Sequence, residues 1–340
     1  MTLAFHDYPD TAQKPSADDT RDDAARRALL QLLTYLEADD YRFVTPTPAT
    51  HARVVARPER QAARDVYDVL GWSLPFAADL LPAALMRLLE QAGVLRSGDD
   101  GRLVATVRVS TVQGAYFLHS AFPTTNTDAV FLGPDSYRVA DLILAKTRVR
   151  PRARILDYGA GAGVGGITAA RQREDSVLTL ADINPKALFL SSINAEFAGV
   201  DHVTVEAGTP GDVPGEFDLI VTHPPFMMDE AGRAYRDGGD LFGARLSLDW
   251  VVAGMRKLRP AGKLVLHTGV SIVDRTDVLL QALRDAIPAT GWQVDYHELD
   301  PDIFGDELDQ PAYAEVDRIA AVGLCLTRGG GEQPIADPTP

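Results

Sequence analysis

The segment with the most evident chemistry joins an apolar strand to closely spaced glycines. It reads Ala153-Arg-Ile-Leu-Asp-Tyr-Gly-Ala-Gly-Ala-Gly-Val-Gly-Gly166 and runs into the apolar residues Ile167-Thr-Ala-Ala-Arg171. Glycines let the backbone turn sharply and approach a ligand where a side chain would collide. A bare strand-to-helix turn would also use them, but the pattern suits a nucleotide-like ligand. The candidate binding residues of this segment are Asp157, Gly159, Gly161 and Gly163.

A second acid follows at the distance expected for a ribose-binding carboxylate. An apolar run ends in Asp182, 25 positions after Asp157, where doubly wound folds present an acid to ribose hydroxyls. Ile183 comes next, and the following strand ends near Gly208 and Thr209, where an adenine ring is expected. Nicotinamide enzymes share this layout. The acid followed by Gly-x-Gly-x-Gly nevertheless differs from the dinucleotide pattern Gly-x-Gly-x-x-Gly, although the later glycines could mimic it.

A third candidate segment, His223-Pro224-Pro225-Phe226, follows an apolar run at the carboxyl end of the expected fourth strand. Two successive prolines stiffen a loop and remove backbone donors, so carbonyls are left to accept from an amide or amine nitrogen. Phe226 can stack on a planar group. Neutral histidine can accept one hydrogen bond or take a proton as a general base. The alternative is that the prolines only turn the chain and His223 packs in the loop.

This motif resembles the Asn/Asp-Pro-Pro-Tyr/Phe motif of class I methyltransferases that act on planar nitrogen. The resemblance covers roughly residues 134–268, and Ala234-Tyr-Arg-Asp-Gly-Gly239 brings it nearest to the release-factor glutamine methyltransferase (HemK/PrmC-like) branch. It implies S-adenosyl-L-methionine as the cofactor, with Asp157 near the methionine end and Asp182 on the ribose. Residues 223–226 would hold the acceptor. This chain has histidine where the family has a side-chain oxygen, so the resemblance leaves the acceptor open.

Three further residues are candidates for substrate contact. Tyr137 and Arg138 lie in the segment 131–141 that precedes the sheet, and they could touch the methionine carboxylate or the substrate. A domain linker that begins a capped helix explains this segment equally well. Tyr235 follows the motif in the region that carries the resemblance.

The acid-rich segment 298–309 lies between the last two expected strands. Such a run is usually a solvated loop. If it lined the pocket, it would favour a cationic or amine-bearing acceptor over a phosphate-bearing one. The histidines are scattered without metal-ligand spacing, so we expect no metal.

Composition restricts the classes of partner. The 340 residues carry a net charge of -15 with a pI of about 4.8, and 46% are hydrophobic. This net negative charge repels the phosphates of nucleic acid, although a local basic patch could still bind them. The chain begins without an export signal and contains no uninterrupted run of about 18 apolar residues, so we expect a cytoplasmic protein without a membrane span. The single cysteine, Cys325, lies in an apolar run typical of a buried thiol.

The periodicity predicts an α/β fold with two folded units. From residue 154 onward strands alternate with helices, which is typical of a Rossmann-like sheet. The resemblance implies that this sheet is the seven-stranded sheet of a class I methyltransferase domain, at residues 131–328. Residues 23–130 show helical periodicity and then a helix at 85–95, a turn at 97–101 and a single strand at 102–109, an order that resembles a winged helix. No helix of that unit is dense in Lys or Arg. Residues 1–22 and 329–340 are predicted disordered tails.

Taken together, these patterns predict a methyltransferase that uses S-adenosylmethionine and modifies a nitrogen of a protein side chain or a small metabolite. Adenine methylation in RNA is an alternative, and a methyltransferase-like module that binds cofactor without turnover is another. A nicotinamide oxidoreductase fits least well. The oligomeric state is left open by the sequence.

Overall fold

The amino-terminal part consists of helices followed by two short hairpins. The computed structural model describes residues 17–98, 101–148, 150–173, 175–229 and 236–329. The first helices are α1 (Ala17–Ala38), α2 (Pro48–Val55), α3 (Val66–Leu70) and α4 (Ala83–Gln91). Strand β1 (Leu95–Ser97) pairs antiparallel with β2 (Leu103–Ala105), and β3 (Val107–Val112) pairs antiparallel with β4 (Ala115–Ser120).

A mostly parallel sheet forms the centre of the rest of the chain. Its strands are β5 (Arg154–Tyr158), β6 (Val177–Asp182), β7 (His202–Glu206), β8 (Phe217–Thr222), β9 (Leu258–Val273), β10 (Thr276–Asp277), β11 (Trp292–Asp300) and β12 (Val316–Arg328). The order across the sheet is β7-β6-β5-β8-β9-β12-β11, with the two-residue β10 beside β9. Strands β5 to β9 are parallel, whereas β12 is antiparallel to both neighbours. The predicted Rossmann-like, seven-stranded fold class is therefore confirmed.

Helices cover both faces of the sheet. They are α5 (Pro134–Lys146), α6 (Val164–Ala170), α7 (Pro185–Phe197), α8 (Arg245–Met255) and α9 (Val278–Ala286). Neighbouring residues of one strand enter different cores: Ile155 packs in the core with α5, α6 and α7, and Leu156 packs in the core with α8 and α9. Burial on both faces explains why the parallel strands are continuous apolar runs.

Strand order reverses between β5 and β8. From β5 the chain proceeds to β6 and β7 on one side, and β8 and β9 lie on the other. Open parallel sheets bind their ligands at such a switch point, outside the carboxyl ends of the strands. The glycine-rich loop follows β5, Asp182 ends β6 and His223 follows β8, so the topology directs all three to one place.

Some element boundaries differ from the sequence prediction. Helix α1 begins at Ala17, six residues inside the predicted 1–22 tail. The single strand predicted up to Val109 is two strands, β2 and β3, which pair with different partners. Strand β9 extends to Val273 because β12 pairs along it and buries its polar residues. Residues 1–16 and 330–340 of the predicted tails lie outside the described residues.

The amino-terminal helices share one core with α5, α6 and α7. Leu29 and Leu32 of α1 belong to the same buried cluster as Ile155 and Ile167. The predicted domain boundary at residue 131 therefore remains a prediction. The apolar core is continuous across that boundary. Nowhere in the described ranges is a helix long and apolar enough to cross a membrane.

Asn194 joins the amino-terminal part to the glycine-rich loop. Its fully buried side chain accepts from the Leu118 backbone N–H at 2.8 Å and donates to the Leu118 carbonyl at 3.0 Å and to the Ala162 carbonyl at 2.9 Å. Leu118 lies in β4 and Ala162 lies in the loop after β5. One carboxamide on α7 therefore holds the hairpin and the loop at a fixed separation.

We expect Asn194→Leu to lower the free energy of unfolding by about 3 kcal/mol or more, because three buried backbone groups lose their partners at about 1–3 kcal/mol each. Urea denaturation measures this change. Glu196→Gln on the same helix is the control: it removes only a surface ion pair with Arg26, which is worth about 0–1 kcal/mol. Equal free energies of unfolding of the two variants would show that Asn194 does not hold the amino-terminal hairpin and the glycine-rich loop together.

Candidate active site

The loop between β5 and α6 has a backbone that only glycine adopts easily. Gly159, Gly161 and Gly163 have φ values of +69°, +53° and +82°, in the left-handed region that side chains disfavour. At Gly159 a Cβ would also lie 2.7 Å from Cζ3 of Trp250. The loop therefore presents bare backbone towards the carboxyl edge of the sheet, where a ligand can approach closely.

Asp182 fixes this loop from the end of β6. Its Oδ2 accepts from the Gly161 backbone N–H at 2.9 Å, and its Oδ1 accepts from the Asn184 backbone N–H at 2.9 Å. Burial raises the pKa of the carboxyl, and these backbone N–H groups act in the opposite direction. Each oxygen retains a lone pair that can accept from a hydroxyl, as binding of a ribose diol requires.

Asp157, at the end of β5, is more deeply buried than Asp182. Its side chain is 4% exposed, and Oδ2 accepts from the Gly166 backbone N–H at 2.7 Å. Burial raises the pKa of Asp157 to about 7; the Gly166 hydrogen bond lowers it and the charge of Asp182 raises it further. A cation bound beside this carboxyl would stabilise its ionised form.

The His223–Phe226 segment leaves the sheet directly beside β5. Thr222 Oγ1 donates to the Tyr158 carbonyl at 2.8 Å, which ties the ends of the two strands. The Phe226 ring occupies the space above Gly269, where a Cβ would lie 2.2 Å from Phe226 Cδ2. The His223 Nδ1 lies 2.8 Å from the His267 carbonyl of β9. The segment is thus held against β9, with its phenyl ring in a gap that glycine leaves open.

The backbone that follows the motif is held by a short parallel contact. Met227 N donates to the Arg236 carbonyl at 3.0 Å, and Gly238 N donates to the Met227 carbonyl at 2.8 Å. A Cβ on Gly238 would lie 2.7 Å from Phe226 Cα. The last residues of the predicted Ala234–Gly239 segment therefore support the motif through their backbone.

One cavity of about 590 Å³ brings the predicted cofactor and acceptor residues together. The predicted cofactor residues in its wall are Asp157, Gly159, Gly161, Asp182, Ile183 and Gly208. The predicted acceptor residues in its wall are His223, Pro224, Pro225 and Phe226. The cavity lies at the carboxyl ends of β5, β6 and β8, which is the switch point of the sheet.

The other predicted site residues lie elsewhere. Gly163 is the N-cap residue of α6 and is not among the residues that line the cavity. The backbone N–H and Oγ1 of Thr209 both donate to Asp212 Oδ2, at 2.9 Å each, so this residue caps a short helical turn. The Tyr137 hydroxyl accepts from the Thr45 backbone N–H at 2.9 Å and faces the amino-terminal part.

Arg138 is engaged by acids, and Tyr235 is not described. Arg138 pairs with Asp135 at 3.0 Å and with Asp300 at 2.7 Å. It connects α5 to β11 and is not part of the cavity wall. Tyr235 lies outside the described residues.

Several wall residues were missed by sequence reasoning. They are Phe122, Pro123, Thr124, Thr125, Asp135, Arg236, Trp250 and Phe304. Residues 122–125 have no periodicity and resemble an ordinary linker. The aromatic residues at 122, 250 and 304 are far apart in sequence, so only the fold shows that they surround one space.

The acid-rich segment 298–309 is not simply a solvated loop. Phe304 lines the cavity and its ring centroid lies 5.8 Å from that of Phe226. Ile303 is buried in a small apolar cluster with Met227 and Tyr313. Glu307 pairs with Arg236 at 2.5 Å. The segment therefore contributes an aromatic wall, and this carboxylate is used to hold the loop that follows the motif.

The cavity wall is acidic. Its carboxylates are Asp135, Asp157, Asp182 and Asp237. Among the described wall residues Arg236 is the one formally cationic side chain, and it pairs with both Glu307 and Asp229. The local field therefore favours positively charged ligand groups. Across the described ranges no group of three or more His, Cys, Asp or Glu residues is placed to hold a metal ion.

Solved structures that align with this chain include two methyltransferases. A SAM-dependent methyltransferase from Agrobacterium tumefaciens aligns with a TM-score of 0.45 and 19% identity, covering 69% of this chain and 76% of that one. A ribosomal protein L11 methylase from Lactobacillus delbrueckii aligns with a TM-score of 0.41 and 18% identity, covering 59% and 81%.

Curated relatives share the central region. The release factor glutamine methyltransferase of Deinococcus radiodurans is 29% identical over 191 residues, which is 54% of this chain and 66% of that protein. The ribosomal RNA small subunit methyltransferase C of Pasteurella multocida is 35% identical over 101 residues, 30% of either chain. The chain thus spans just under two thirds of the first relative and about a third of the second.

Residues 124–240 match the sequence model of a family described as "Methyltransferase small domain". The match runs from the cavity-lining segment at 124 through the glycine-rich loop and Asp182 to the residues after Phe226. It confirms the prediction of a methyltransferase domain with S-adenosylmethionine as its cofactor. Residues 124–240 of this chain are therefore similar to the methyltransferase small domain family, over about a third of the chain.

Proposed function

We propose that the chain transfers a methyl group from S-adenosylmethionine to a nitrogen atom of a protein side chain or a small metabolite. The observation that carries this proposal is the single cavity in which the glycine-rich loop and Asp182 face the His223–Phe226 segment. A cofactor site and an acceptor site that share one wall permit direct transfer. Binding in the right orientation supplies much of the rate in such a displacement.

Each element of the cavity has a distinct task in this proposal. When bound, S-adenosylmethionine supplies an electrophilic methyl group on a positively charged sulfur. The bare backbone at Gly159 admits a ligand that a Cβ would exclude, and Asp182 accepts from ribose hydroxyls. Asp157 balances the positive charge of the methionine end. The carbonyls of the Pro224–Pro225 segment and the Phe226 ring orient a planar or amine-bearing acceptor.

An RNA acceptor is the second candidate. Curated relatives in this region include ribosomal RNA small subunit methyltransferase C from several bacteria. A second cavity of about 490 Å³ at the amino ends of β5 and β8 is lined by Lys146, Arg148, Arg150 and Lys263. Such a basic patch can bind phosphates locally despite the net charge of -15.

Calorimetric titration with S-adenosylhomocysteine, with NADH as the comparison, tests the cofactor. We expect micromolar binding of the first ligand only. Methyl-labelled S-adenosylmethionine, incubated with the chain and a cell extract, then separates the acceptors: label in protein or small molecules supports the first candidate, and label in RNA supports the second. A folded chain that binds NADH instead would contradict the proposal.

We expect Asp182→Asn to weaken S-adenosylhomocysteine binding by at least tenfold, because it loses the charge and one acceptor oxygen for the ribose and the Gly161 N–H. His223→Ala should leave this affinity within about twofold and lower methyl transfer by about 100-fold or more. Asp201→Asn is the matched control, since Asp201 is exposed at the opposite end of the sheet. Calorimetry measures the affinity for S-adenosylhomocysteine, and label transfer measures the rate of methylation. If both variants lost both cofactor binding and methyl transfer, the separate roles of Asp182 and His223 would be refuted.

We expect the affinity for S-adenosylmethionine to rise from pH 6 to pH 8, through the pKa of Asp157 at about 7. The raised pKa means that the folded, unliganded chain holds a proton there, and a cationic ligand favours its release. By the same linkage this proton stabilises the fold at low pH, and its contribution is lost as pH rises from the ordinary carboxyl range through about 7.

Titrations in two buffers of different ionisation enthalpy measure the protons released on binding. In Asp157→Asn the affinity should be nearly independent of pH over this range. An unchanged pH dependence in this variant would assign the proton to another group.

A further inference from the structure

His223 is held in one tautomer by β9. Its Nδ1 lies 2.8 Å from the His267 carbonyl oxygen, which has lone pairs and no hydrogen. The hydrogen must therefore be on His223 Nδ1, and in the neutral ring Nε2 is left with a free lone pair. Because Nδ1 faces β9 and the ring lines the cavity, Nε2 is the nitrogen presented to the acceptor.

The side chain of His267 adds a second acceptor at the same hydrogen. Its Nδ1 lies 3.3 Å from His223 Nδ1, and the ring centroids are 4.9 Å apart. A hydrogen on His267 Nδ1 would point at the hydrogen of His223, so His267 carries its hydrogen on Nε2. That Nε2 is buried without a hydrogen-bond partner among the described residues. This arrangement is costly to the fold, which suggests that it is retained for the site.

His267 stays neutral beside His223. Its side chain is 1% exposed, and burial holds its pKa well below the ordinary range, assisted by the positive charges of His223 and Arg138. When His223 gains a proton at Nε2, its Nδ1–H therefore faces a carbonyl oxygen and a neutral ring nitrogen. Both stabilise the imidazolium, as the third member of a catalytic triad does.

Other charged groups lie near the His267 ring or in the cavity wall. From α5, Arg138 acts on His267 and is paired with Asp135 and Asp300. The remaining charged groups in the wall are Asp157, Asp182, Asp237 and the paired Arg236. The wall as a whole is negative, so it attracts an ammonium group as well as the sulfonium of the cofactor.

We propose that His223, positioned by His267, is a general base that removes a proton from an alkylamine acceptor, so that this site is built for amines and not for carboxamides. The inference rests on the proposed function. An oriented side-chain oxygen, as in the Asn/Asp motif, can align an amide nitrogen; a bare imidazole nitrogen can also take a proton. His223 touches the acceptor and is catalytic, whereas His267 acts through it and is a positioning residue.

The step balances without any further reactant. The ammonium form of the acceptor gives one proton to His223 Nε2, which leaves a nitrogen lone pair. That lone pair forms the bond to the methyl carbon while the bond from this carbon to sulfur breaks, and its electrons remain on sulfur. The products are a methylated ammonium, a neutral thioether and protonated His223, which returns its proton to water.

Nitrogen NMR of the full chain labelled at its histidines tests the positioning without any ligand. We expect neutral His223 to carry its hydrogen on Nδ1. We expect His267 to carry its hydrogen on Nε2 and to stay neutral over the pH range in which the chain is folded. In His267→Leu the resonance of the His223 Nδ1–H should move upfield, because this hydrogen loses one of its two acceptors. His267→Asn should keep the wild-type resonance, since its Oδ1 can take the place of Nδ1.

His202 provides an internal control for this measurement. Its Nδ1 lies 2.9 Å from the Val200 carbonyl, and His202 has no second imidazole beside it in the described structure, so neither variant should shift its ring signals. A His223 ring with its hydrogen on Nε2, or a His223 Nδ1–H resonance unmoved in His267→Leu, would overturn the positioning role. A general disturbance of the fold would shift His202 and His223 alike.

Butylamine and butyramide, which have nearly the same shape, test the acceptor class. Each is added to the complex with S-adenosylhomocysteine while the His223 ring signals are followed. We expect the amine to perturb these signals with at least tenfold higher affinity than the amide, and His223→Asn to reduce that preference to the part supplied by the acidic wall. Equal affinities, a preference for the amide, or no perturbation by either would overturn the inference.

Failure of the proposed function looks different from failure of this inference. A folded chain that does not bind S-adenosylhomocysteine contradicts the proposed function. A chain that binds it normally, yet shows the wrong tautomer or no preference for the amine, contradicts only the role of His223 and His267.

Discussion

The loop between β5 and α6 keeps its shape because carboxylates at the ends of β5 and β6 accept backbone N–H groups of the loop and of the first turn of α6. Asp182 takes the N–H of Gly161 and Asp157 takes the N–H of Gly166. Without them, a loop with three left-handed glycines would have many alternative conformations and would lose entropy on closing around a ligand. The same two acids are also the groups best placed to meet the ligand. Structure and binding therefore depend on one set of interactions, and the cost of burying Asp157 appears in its raised pKa of about 7.

The amino-terminal part belongs to this arrangement. Asn194 connects Leu118 of β4 to Ala162 of the loop, and Phe122 beyond β4 reaches the cavity wall. A residue that binds two elements at once transmits the position of one to the other. The amino-terminal hairpin is therefore a support of the cofactor loop and a wall of the acceptor space, whatever else it recognises.

The sequence predicts the sheet well and the acceptor side of the cavity poorly. Alternating apolar runs reveal β5, β6 and β8, and local motifs reveal Asp157, Asp182 and His223, because each signal lies within a few consecutive residues. Trp250, Phe304 and Phe122 carry no such signal, since they come together only when distant segments pack. Tyr137 and Arg138 show the reverse case. They sit beside a functional segment in sequence, but the helix α5 turns them towards Thr45 and Asp300 and away from the cavity.

His223 stands where the motif of the resembling enzymes has Asn or Asp, and His267 of β9 contacts this altered residue. They are 44 positions apart, and His267 is one of several polar residues within β9 that look out of place in a buried strand. Thr268 bonds to Ser247 of α8, and Gly269 leaves room for the Phe226 ring. Each of these departures from an apolar strand thus corresponds to a contact with the site or its supporting helix. A histidine that merely replaced asparagine in the motif would need no buried imidazole at its Nδ1. The pairing of the two rings is therefore better explained by a proton that His223 must accept than by packing alone.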